Sequence, residues 1–370
     1  MRGLLAAIIL RHATLVVFAG CLSGTITFAI TPPIVLARPS VEHSAAVVTD
    51  GAGRTVELSA VPARRVVILT QDLPIYVTLD EQANSIVGLS KLSRMYTRGS
   101  LLESIYPQLA VLPQGGSITE PEQLLFWRPD LVLAPTSPAS DILQAIGIPG
   151  VVEVTVRSQH LEADILAAWS MLAIITAKQE RKEDIVGRYR ALLQALAAKP
   201  LIASKRVLVL WSFGQTWFGG DKGYYLNSIL ERVGITNVLG KRSLRQINVE
   251  EVMKKDPDVI LLGPVGNTGR PSQLYASMLW KGVRAVNEKR VYIMPIHSFY
   301  NWPIDIPIVM TWLEELLGPQ SAARDNRTRD LFSETYREVF HYEPTSEEID
   351  RALWLRENMS SAHYSRFEAR

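Results

Sequence analysis

Two stretches of the chain, EQLLFWRPDLVLAP from Glu122 to Pro135 and EEVMKKDPDVILLGP from Glu250 to Pro264, follow one pattern. Each begins with a glutamate, continues through two apolar positions to a Pro-Asp step, and ends with an apolar run and a proline. The glutamates and the Pro-Asp steps both recur at a separation of 128 positions. Each stretch predicts a short helix, a turn and a buried strand, so the repeat predicts two similar lobes. The alternative is chance recurrence of a common helix-to-strand unit, in which each glutamate only complements a helix N-terminus.

Apolar segments of strand length alternate with helical segments around both copies of the pattern. In the first half of the chain the predicted strands are 65–69, 86–89, 130–134 and 151–156. In the second half they are 206–210, 258–262 and 290–294. Strands that alternate with helices indicate a mostly parallel sheet covered on both faces. The pattern therefore predicts an α/β fold with two similar Rossmann-like α/β lobes.

Between the two halves, the alternation gives way to two long helical segments at Leu161–Ala177 and Lys178–Lys199. At 1.5 Å per residue the second segment would form a rod of roughly 33 Å, which is about the width of a small domain. It is therefore predicted to be a single long linking helix between the lobes. After Pro319, a segment at Arg329–Phe340 and another that begins at Thr345 with a capping-box pattern predict a helical C-terminal extension.

Composition excludes several classes of protein. Hydrophobic residues make up 47% and charged residues 21% of the 370 positions, which is typical of a globular protein with sizeable cores. Lys and Arg are interspersed with Asp and Glu, and the net charge is +2, so no basic surface for nucleic acid is predicted. The one cysteine, Cys21, has no partner for a disulfide within the chain and forms no thiolate cluster for zinc or iron–sulfur.

The N-terminal segment predicts export from the cytoplasm. Basic residues precede a short apolar run at 13–19 and then small residues, as in a signal peptide. The run is too short to span a membrane comfortably. The stretch from Phe18 to Cys21 resembles a bacterial lipobox, which would make Cys21 a lipidated N-terminus. The alternative is a secretory signal cleaved after Ala29 or Ala37.

These observations divide the chain into six predicted segments. They are a signal peptide at 1–29, a tether at 30–46, an N-terminal α/β lobe at 47–177, the linking helix at 178–199, a C-terminal α/β lobe at 200–319 and a helical C-terminal extension at 320–370. The tether is rich in proline, alanine and small residues, which predicts a flexible connection.

The order and spacing of five motifs make the chain resemble the substrate-binding proteins of iron–siderophore and vitamin B12 ABC importers, a periplasmic family with two lobes and one linking helix. The resemblance covers about Val47 to Pro319. The motifs are DGAGRTVELSAVPARRVVIL at 50–69, ITEPEQLLFWRPDLVLAP at 118–135, ERKEDIVGRYRALL at 180–193, INVEEVMKKDPDVILLG at 247–263 and LWKGVRAVNEKRVYIMP at 279–295. The resemblance implies a receptor in the periplasm or on the outer face of the cytoplasmic membrane, which delivers a metal complex to a permease.

In that family, one surface glutamate on each lobe docks against basic residues of the ABC permease dimer. The matching positions here are Glu122 and Glu250, seven residues before the proline of each Pro-Asp step. The resemblance thus implies that the pattern occurs twice because two lobes contact a two-fold symmetric partner. The receptor is expected to be a monomer that binds no nucleic acid and contacts the membrane only through an N-terminal lipid anchor, where Cys21 is lipidated.

The ligand is expected in the cleft between the lobes, at loops that follow the carboxyl ends of the strands. Arginine side chains suit an anionic ligand, and aromatic rings suit the flat body of a chelate. His297 and Tyr300 are the candidates for direct contact with a metal. The alternative for Trp211 is a place in the core, and for His297 hydrogen bonding within its loop. The predicted ligand-binding residues are Gln71, Arg94, Tyr96, Ser117, Arg157, Trp211, Trp217, Phe218, His297, Tyr300, Asn301 and Trp302.

The predicted function is capture of a metal complex, an iron chelate of the siderophore type, with that complex as transported ligand and no intrinsic cofactor. A similar helical extension occurs in relatives suited to smaller ligands, so a nickel or cobalt complex or an oxyanion such as molybdate or tungstate is the alternative. An enzyme is not expected, because the chain contains no G-x-x-x-x-G-K-[ST], G-x-S-x-G or H-E-x-x-H motif. An exported two-lobed enzyme is the alternative from a different class.

Overall fold

The computed structural model describes most of the chain from Ser44 to Ala369. The described residues are 44–98, 100–113, 115, 121–135, 138–154, 160–199, 201–202, 205–213, 216–220, 226–240, 244–263, 269–295, 303–318 and 326–369, with the backbone alone for Tyr96 and Phe213. The predicted signal peptide, Cys21 and most of the predicted tether lie outside these residues. Among the described helices, none combines the length and the apolar character that a membrane crossing needs.

The N-terminal lobe combines a parallel sheet with an antiparallel hairpin. Its strands are β1 (Ser44–Thr49), β2 (Thr55–Val61), β3 (Val66–Ile68), β4 (Ile86–Leu89), β5 (Leu131–Ala134) and β6 (Val151–Glu153). Its helices are α1 (Leu73–Asp80), α2 (Lys91–Thr97), α3 (Leu101–Ile105), α4 (Gln108–Val111), α5 (Pro121–Trp127), α6 (Ala139–Ala145) and α7 (Leu161–Thr176). The parallel sheet has the order β4-β3-β5-β6, and β1 pairs with β2 alone.

The C-terminal lobe follows the linking helix α8 (Gln179–Ala197), which confirms the helix predicted at 178–199. The strands of this lobe are β7 (Lys205–Phe213), β8 (Thr216–Gly219), β9 (Ile235–Asn237), β10 (Arg245–Gln246), β11 (Val259–Leu262) and β12 (Val291–Ile293). Its helices are α9 (Leu226–Arg232), α10 (Val249–Lys255), α11 (Pro271–Ala276), α12 (Arg284–Asn287) and α13 (Ile306–Leu317), with 3₁₀ turns at Met278–Gly282 and Pro303–Asp305. The sheet has the order β10-β8-β7-β11-β12, with β9 parallel to β7 and with β8 and β10 antiparallel.

The repeated Pro-Asp step joins neighbouring strands in the same way in both lobes. A carboxylate oxygen of Asp130 accepts a hydrogen bond from the N–H of Arg65 at 2.9 Å, at the start of β3. A carboxylate oxygen of Asp258 accepts one from the N–H of Arg206 at 2.9 Å, near the start of β7. Each aspartate precedes one strand, β5 or β11, and accepts a hydrogen bond from a backbone N–H at the start of the neighbouring strand, β3 or β7. The prediction of two similar α/β lobes is confirmed.

The helix in each copy of the pattern also ends in the same way. Arg128 after α5 and Asp256 after α10 both have left-handed backbone, with φ of 46° and 39°. A left-handed residue ends a helix, and the proline that follows disfavours continued helical backbone at this position. The two positions differ by 128, so the backbone conformation repeats at the same separation as the sequence.

The central strands of both sheets are buried throughout. All four residues of β5 and all four of β11 are inaccessible to solvent, as expected of parallel strands covered by helices on both faces. Trp169 of α7, Trp211 of β7 and Trp312 of α13 are among the largest fully buried side chains. The described residues belong to one compact unit that spans 43–370.

Within its described residues, 326–369, the predicted C-terminal extension forms three helices and a 3₁₀ turn. They are α14 (Arg327–Phe340), α15 (Ser346–Ala352), α16 (Leu355–Asn358) and the turn Tyr364–Phe367. The capping box predicted for Thr345 and Glu348 is confirmed, because each side chain bonds the backbone N–H of the other. Glu315 of α13 accepts hydrogen bonds from the N–H groups of Arg327 and Thr328, at 2.8 and 3.0 Å, and so caps α14.

Two parts of the fold differ from the sequence-based prediction. The predicted tether runs to residue 46, whereas Ser44 already begins β1, which pairs with β2 through Val56 and Leu58. The C-terminal sheet is less uniformly parallel than predicted, because β8 turns back on β7 and β10 follows it. Both differences involve strands whose partner supplies the pairing, which local sequence does not encode.

Candidate ligand cleft

The loop after β3 is held in place by the first turn of α2. Ser90, the N-cap of α2, accepts a hydrogen bond from the N–H of Ser93 at 3.0 Å and donates to the carbonyl of Leu69 at 2.9 Å. The hydroxyl of Ser93 donates to the carbonyl of Ile68 at 2.8 Å. These bonds fix the loop that carries Gln71, a half-buried side chain at the carboxyl edge of the sheet. Gln71 therefore lies at the edge where the ligand is predicted.

Arg94 lies within α2 and not in a loop as predicted, and its side chain is only 9% exposed. Nη2 donates to the carbonyl of Leu112 at 3.1 Å, and Nη1 lies 3.9 Å from the carboxylate of Glu103. Among the described residues, Nε has no hydrogen-bond partner. Arg94 thus supports the backbone at Leu112, a few positions before Ser117 in the sequence. Direct contact between Arg94 and a ligand stays a prediction.

Trp211 lies inside β7 and not in the loop after it. Its side chain is 2% exposed, which corresponds to the core alternative. The indole covers Gly263, just after β11, so closely that a Cβ at this position would lie 2.3 Å from the ring. As placed, Trp211 packs the two central strands together and offers almost no surface to a ligand.

Trp217 and Phe218 lie on β8, the antiparallel strand of the C-terminal lobe, and not in a loop as predicted. Trp217 contacts Trp280 edge to face, with ring centroids 5.6 Å apart, and it also covers Gly269. Phe218 lies opposite Trp211 in the β7–β8 register. Both side chains are half-buried, and as neighbours on a strand they point to opposite faces of the sheet.

Half of the predicted ligand-binding residues lie outside the described residues. They are Ser117, Arg157, His297, Tyr300, Asn301 and Trp302. For Tyr96 only the backbone is described, and it belongs to α2. Within the described ranges, no three His, Cys, Asp or Glu side chains are grouped to hold a metal ion. The predicted metal contacts of His297 and Tyr300 therefore stay predictions.

A concavity of about 330 Å³ lies between the β1–β2 turn, the end of β6 and helix α7. Asp50, Glu153 and Asp164 line it and are all buried. The guanidinium of Arg54 lies 2.6 Å from Asp50 and 3.4 Å from Glu153, so one cation neutralises two of the carboxylates. The backbone of Gly51 also donates to the carbonyl of Glu153 at 2.8 Å. These polar groups attach the hairpin to the sheet.

Sequence reasoning missed this cluster, because Glu153 follows Asp50 by about a hundred positions. The local signal was the stretch DGAGR at 50–54, in which Asp50 also accepts hydrogen bonds from the N–H groups of Ala52 and Arg54. Such a side-chain-to-backbone turn is readable from sequence, whereas its contact with β6 is not.

The predicted docking glutamates are both exposed in the first turn of their helices, Glu122 in α5 and Glu250 in α10. Neither forms an ion pair with a described residue. Three positions after each glutamate, and so on the same helix face, an apolar side chain is exposed: Leu125 at 48% and Met253 at 38%. In the first lobe Phe126, at 81% exposed, extends this apolar surface. Each lobe therefore presents a carboxylate beside apolar surface at equivalent positions of the repeat.

The first turn of α5 lies at the carboxyl edge of its sheet. Gly115 donates from its N–H to the carbonyl of Leu89, the last residue of β4, at 3.3 Å. A Cβ at Gly115 would lie 2.1 Å from the side-chain oxygen of Gln123, which neighbours Glu122. The docking candidate and the predicted ligand loops of the first lobe therefore share one edge.

Comparison with known proteins identifies the type of molecule. The family model described as "Periplasmic binding protein" matches residues 70–296. The chain is 23% identical over 215 residues to the iron(3+)-hydroxamate-binding protein FhuD of Bacillus subtilis, an alignment that covers 55% of this chain and 67% of that protein. A periplasmic solute binding protein of Veillonella parvula has a similar structure, with a TM-score of 0.70, 22% identity, and 85% and 99% of the two chains covered. The Haemophilus influenzae molybdate periplasmic binding protein MolA is similar with a TM-score of 0.68, 18% identity, and 81% and 99% covered.

Proposed function

Because the chain belongs to the periplasmic binding protein family, we propose that it is the extracytoplasmic receptor of an ABC importer for a metal complex of the iron–siderophore type. The family consists of substrate-binding proteins and not of enzymes, so the ligand is cargo and no intrinsic cofactor is involved. The observation that carries the proposal is the repeated helix–turn–strand unit, present once in each lobe, with an exposed carboxylate at the same position of both copies.

The choice of ligand rests on the aromatic side chains of the C-terminal lobe and on the relatives. The half-buried indole of Trp217 suits the organic body of a chelate more than a small hydrated oxyanion. FhuD is named for binding an iron(3+) hydroxamate, which agrees with this preference. The name of MolA keeps molybdate as a second candidate, and a nickel or cobalt complex is the third.

The partner that fits the two docking glutamates is a permease with two-fold or pseudo-two-fold symmetry. Glu122 and Glu250 would meet basic residues on the two halves of this permease, and paired charges of this kind set the rate and register of encounter. The exposed Leu125 and Met253 would add apolar contact next to each carboxylate. A monomeric receptor is sufficient for this arrangement, because one chain supplies both contacts.

Export through the N-terminal signal would place the receptor in the periplasm or on the outer face of the cytoplasmic membrane. Lipidation of Cys21 would tether the receptor to the membrane, whereas cleavage after Ala29 or Ala37 would release it. Mass spectrometry of the mature protein distinguishes these outcomes, because only the first leaves an acylated cysteine at the N-terminus.

The experiment that tests the function is native mass spectrometry of the protein purified from its own cell envelope. A retained ligand would show its mass and the isotope pattern of its metal. Titration with a ferric hydroxamate, a nickel–histidine complex and molybdate, followed by tryptophan fluorescence, then ranks the three ligand classes. We expect the ferric hydroxamate to bind most tightly. Catalytic turnover of a chelate, or a folded protein that binds none of the three, would contradict the proposal.

A further inference from the structure

The C-terminal extension, residues 326–369, is built into the core of the C-terminal lobe. The indole N–H of Trp312 in α13 donates to the hydroxyl of Tyr364 at 3.1 Å, and Trp312 also stacks on Phe367. Phe332 and Tyr336 of α14 are both buried and stack with ring centroids 4.7 Å apart. The extension therefore moves with this lobe as one body, because its removal would expose these aromatic rings to water.

The extension also completes the edge of the C-terminal sheet. The side chain of Asn358, fully buried, accepts a hydrogen bond from the N–H of Ile293 at 2.8 Å and donates to the carbonyl of Ile293 at 2.9 Å. Ile293 belongs to β12, the last strand in the sheet order. The carboxamide thus occupies the backbone groups of an edge strand, as a neighbouring strand would.

The C-terminal end of α14 reaches the N-terminal lobe. The ring of Phe340, the last residue of α14, meets the ring of Tyr106 edge to face, with centroids 6.3 Å apart and an angle of 84°. The two side chains are 8% and 4% exposed, so the contact is closed to solvent.

Arg181, near the start of the linking helix, connects the same two bodies. Its Nε donates to the carbonyl of Thr78 in the last turn of α1 at 2.7 Å, and its Nη2 donates to the carbonyl of Val339 in the last turn of α14. Its Nη1 lies 3.3 Å from Glu81, which follows α1. A cation at the ends of two helices satisfies carbonyls that have no partner within the helix and complements both helix dipoles.

From these contacts we infer that the C-terminal extension is a second connection between the lobes, which acts with the linking helix to hold the lobe-to-lobe distance fixed. A single helix between two bodies restrains their separation but leaves bending at its ends. The contact of Phe340 with Tyr106 lies far from α8 in sequence and closes a loop through both lobes. Opening of the lobes would break the bonds of Arg181 and expose two aromatic rings.

This inference does not depend on the identity of the ligand or on docking to a permease. It concerns the distance between the lobes in the free protein, and it is tested there. Cys21 is the one cysteine, so a Cys21→Ser background accepts spin labels at exposed positions such as Ala145 in α6 and Lys254 in α10. Pulsed electron spin resonance then reports the distribution of distances between the labels.

The test compares variants at the contact with matched controls. Phe340→Ala removes the ring contact, and Arg181→Lys keeps the charge but reaches only one of the two carbonyls. Tyr106→Phe keeps the ring, and its hydroxyl has no hydrogen-bond partner among the described residues. Arg351→Ala removes an exposed ion pair with Glu347 on the outer surface of the same extension.

We expect a narrow distance distribution for the parent protein, Tyr106→Phe and Arg351→Ala, and a broader, shifted distribution for Arg181→Lys and Phe340→Ala. Circular dichroism establishes that each variant is folded. If Phe340→Ala fails to fold, Arg181→Lys decides the question. Distributions of Phe340→Ala or Arg181→Lys that superimpose on that of the parent protein, in folded samples, would overturn the inference.

Discussion

At the scale of single residues, Arg94 is a buried cation whose described contacts lie within its own lobe. Its guanidinium is 9% exposed and holds the carbonyl of Leu112 and the carboxylate of Glu103. Arg94→Ala leaves both groups without this partner, so the free energy of unfolding should fall by about 1.5–3 kcal/mol, the range for a hydrogen bond to a charged group. Urea denaturation measures this change, and Arg351→Ala, an exposed pair, should cause almost none.

Ligand affinity separates this supporting role from the direct contact predicted from sequence. If Arg94 only supports the backbone at Leu112, Arg94→Ala should lower both the free energy of unfolding and the ligand affinity, because the chain at Leu112 is held less firmly. Loss of affinity with unchanged stability would instead place the guanidinium on the ligand and contradict the supporting role.

Asp305, a fully buried carboxyl at the N-terminus of α13, should make the stability of the protein depend on pH. Burial raises the pKa of this carboxyl well above its ordinary value, and the hydrogen bond donated by Tyr336 at 3.3 Å only partly opposes the shift. The folded protein therefore keeps a proton that the unfolded chain releases above about pH 4. Stability from this site is highest below the unfolded pKa and decreases as pH rises toward the folded pKa.

Asp305→Asn should remove this dependence, because the amide is neutral at every pH. The variant should match the parent protein near pH 4 and exceed it in stability at neutral pH, with a difference that grows as pH rises. Thermal denaturation at a series of pH values measures the effect, and Asp330→Asn, an exposed carboxyl on α14, serves as the control. Parallel curves for Asp305→Asn and the parent protein would mean that Asp305 is ionised in the fold.

At the scale of secondary-structure elements, the linking helix contains one weak position. Gly187 lies in the middle of α8, it is exposed, and a Cβ added there would meet no atom within 4 Å. Gly187→Ala should therefore raise the free energy of unfolding by roughly 0.5–1 kcal/mol, since alanine has less backbone freedom to lose than glycine. Chemical denaturation measures the gain.

Gly219 on β8 is the matched control for this change. A Cβ at Gly219 would lie 2.5 Å from a methyl group of Leu239, so Gly219→Ala should destabilise the protein. A neutral or destabilising effect of Gly187→Ala would contradict the expectation that the backbone freedom of Gly187 lowers the stability of α8.

Elements whose signals are local could be predicted from the sequence. The caps at Asn248 and Thr345 are examples, because the side chain and the N–H that it accepts from lie three residues apart. Predicted strands such as 86–89 and 258–262 coincide with β4 and β11, because a short apolar run between turns is typical of a buried strand in a parallel sheet.

Elements and contacts that depend on distant residues could not be predicted. The burial of Trp211 requires Gly263, which is 52 positions away and leaves room for the indole. The hairpin β1–β2 is anchored by the contact of Arg54 with Glu153, about a hundred positions away. Arg94 donates to the carbonyl of Leu112, 18 positions further along the chain. For Arg94 and Trp211, both predicted in loops, the position and orientation of the side chain therefore depend on tertiary contacts that the local sequence does not encode.

At the scale of the whole molecule, the repeat places equivalent residues in both lobes, at exposed positions as well as in the buried strands. The Pro-Asp steps have a structural reason to recur, because Asp130 and Asp258 bond the start of the neighbouring strand. Glu122 and Glu250 are exposed and form no ion pair with a described residue, and within the chain a favourable charge at a helix N-terminus is the reason available for their recurrence. Docking to a symmetric permease is the proposed role outside the chain.

The docking role is tested by Glu122→Gln combined with Glu250→Gln, which preserves size and hydrogen bonding but removes both charges. The two helices are short and their first turns are exposed, so the double variant should fold and retain its ligand, as native mass spectrometry would show. Transport into cells should nevertheless fall, because the carboxylates no longer meet basic residues of the permease. Each single variant should transport better than the double variant, since one lobe still docks.

The control removes two carboxylates that lie outside α5 and α10: Glu57→Gln on β2 combined with Glu347→Gln on α15, both exposed. This variant has the same net charge as the docking variant and should transport like the parent protein at equal amounts of receptor. Equal transport by the docking variant would contradict the docking role and leave the glutamates only their favourable charge at a helix N-terminus. Loss of ligand by the docking variant would instead show that the first turns of α5 and α10 form part of the cleft, since Glu122 lies on the same edge of the sheet as the loop after β4.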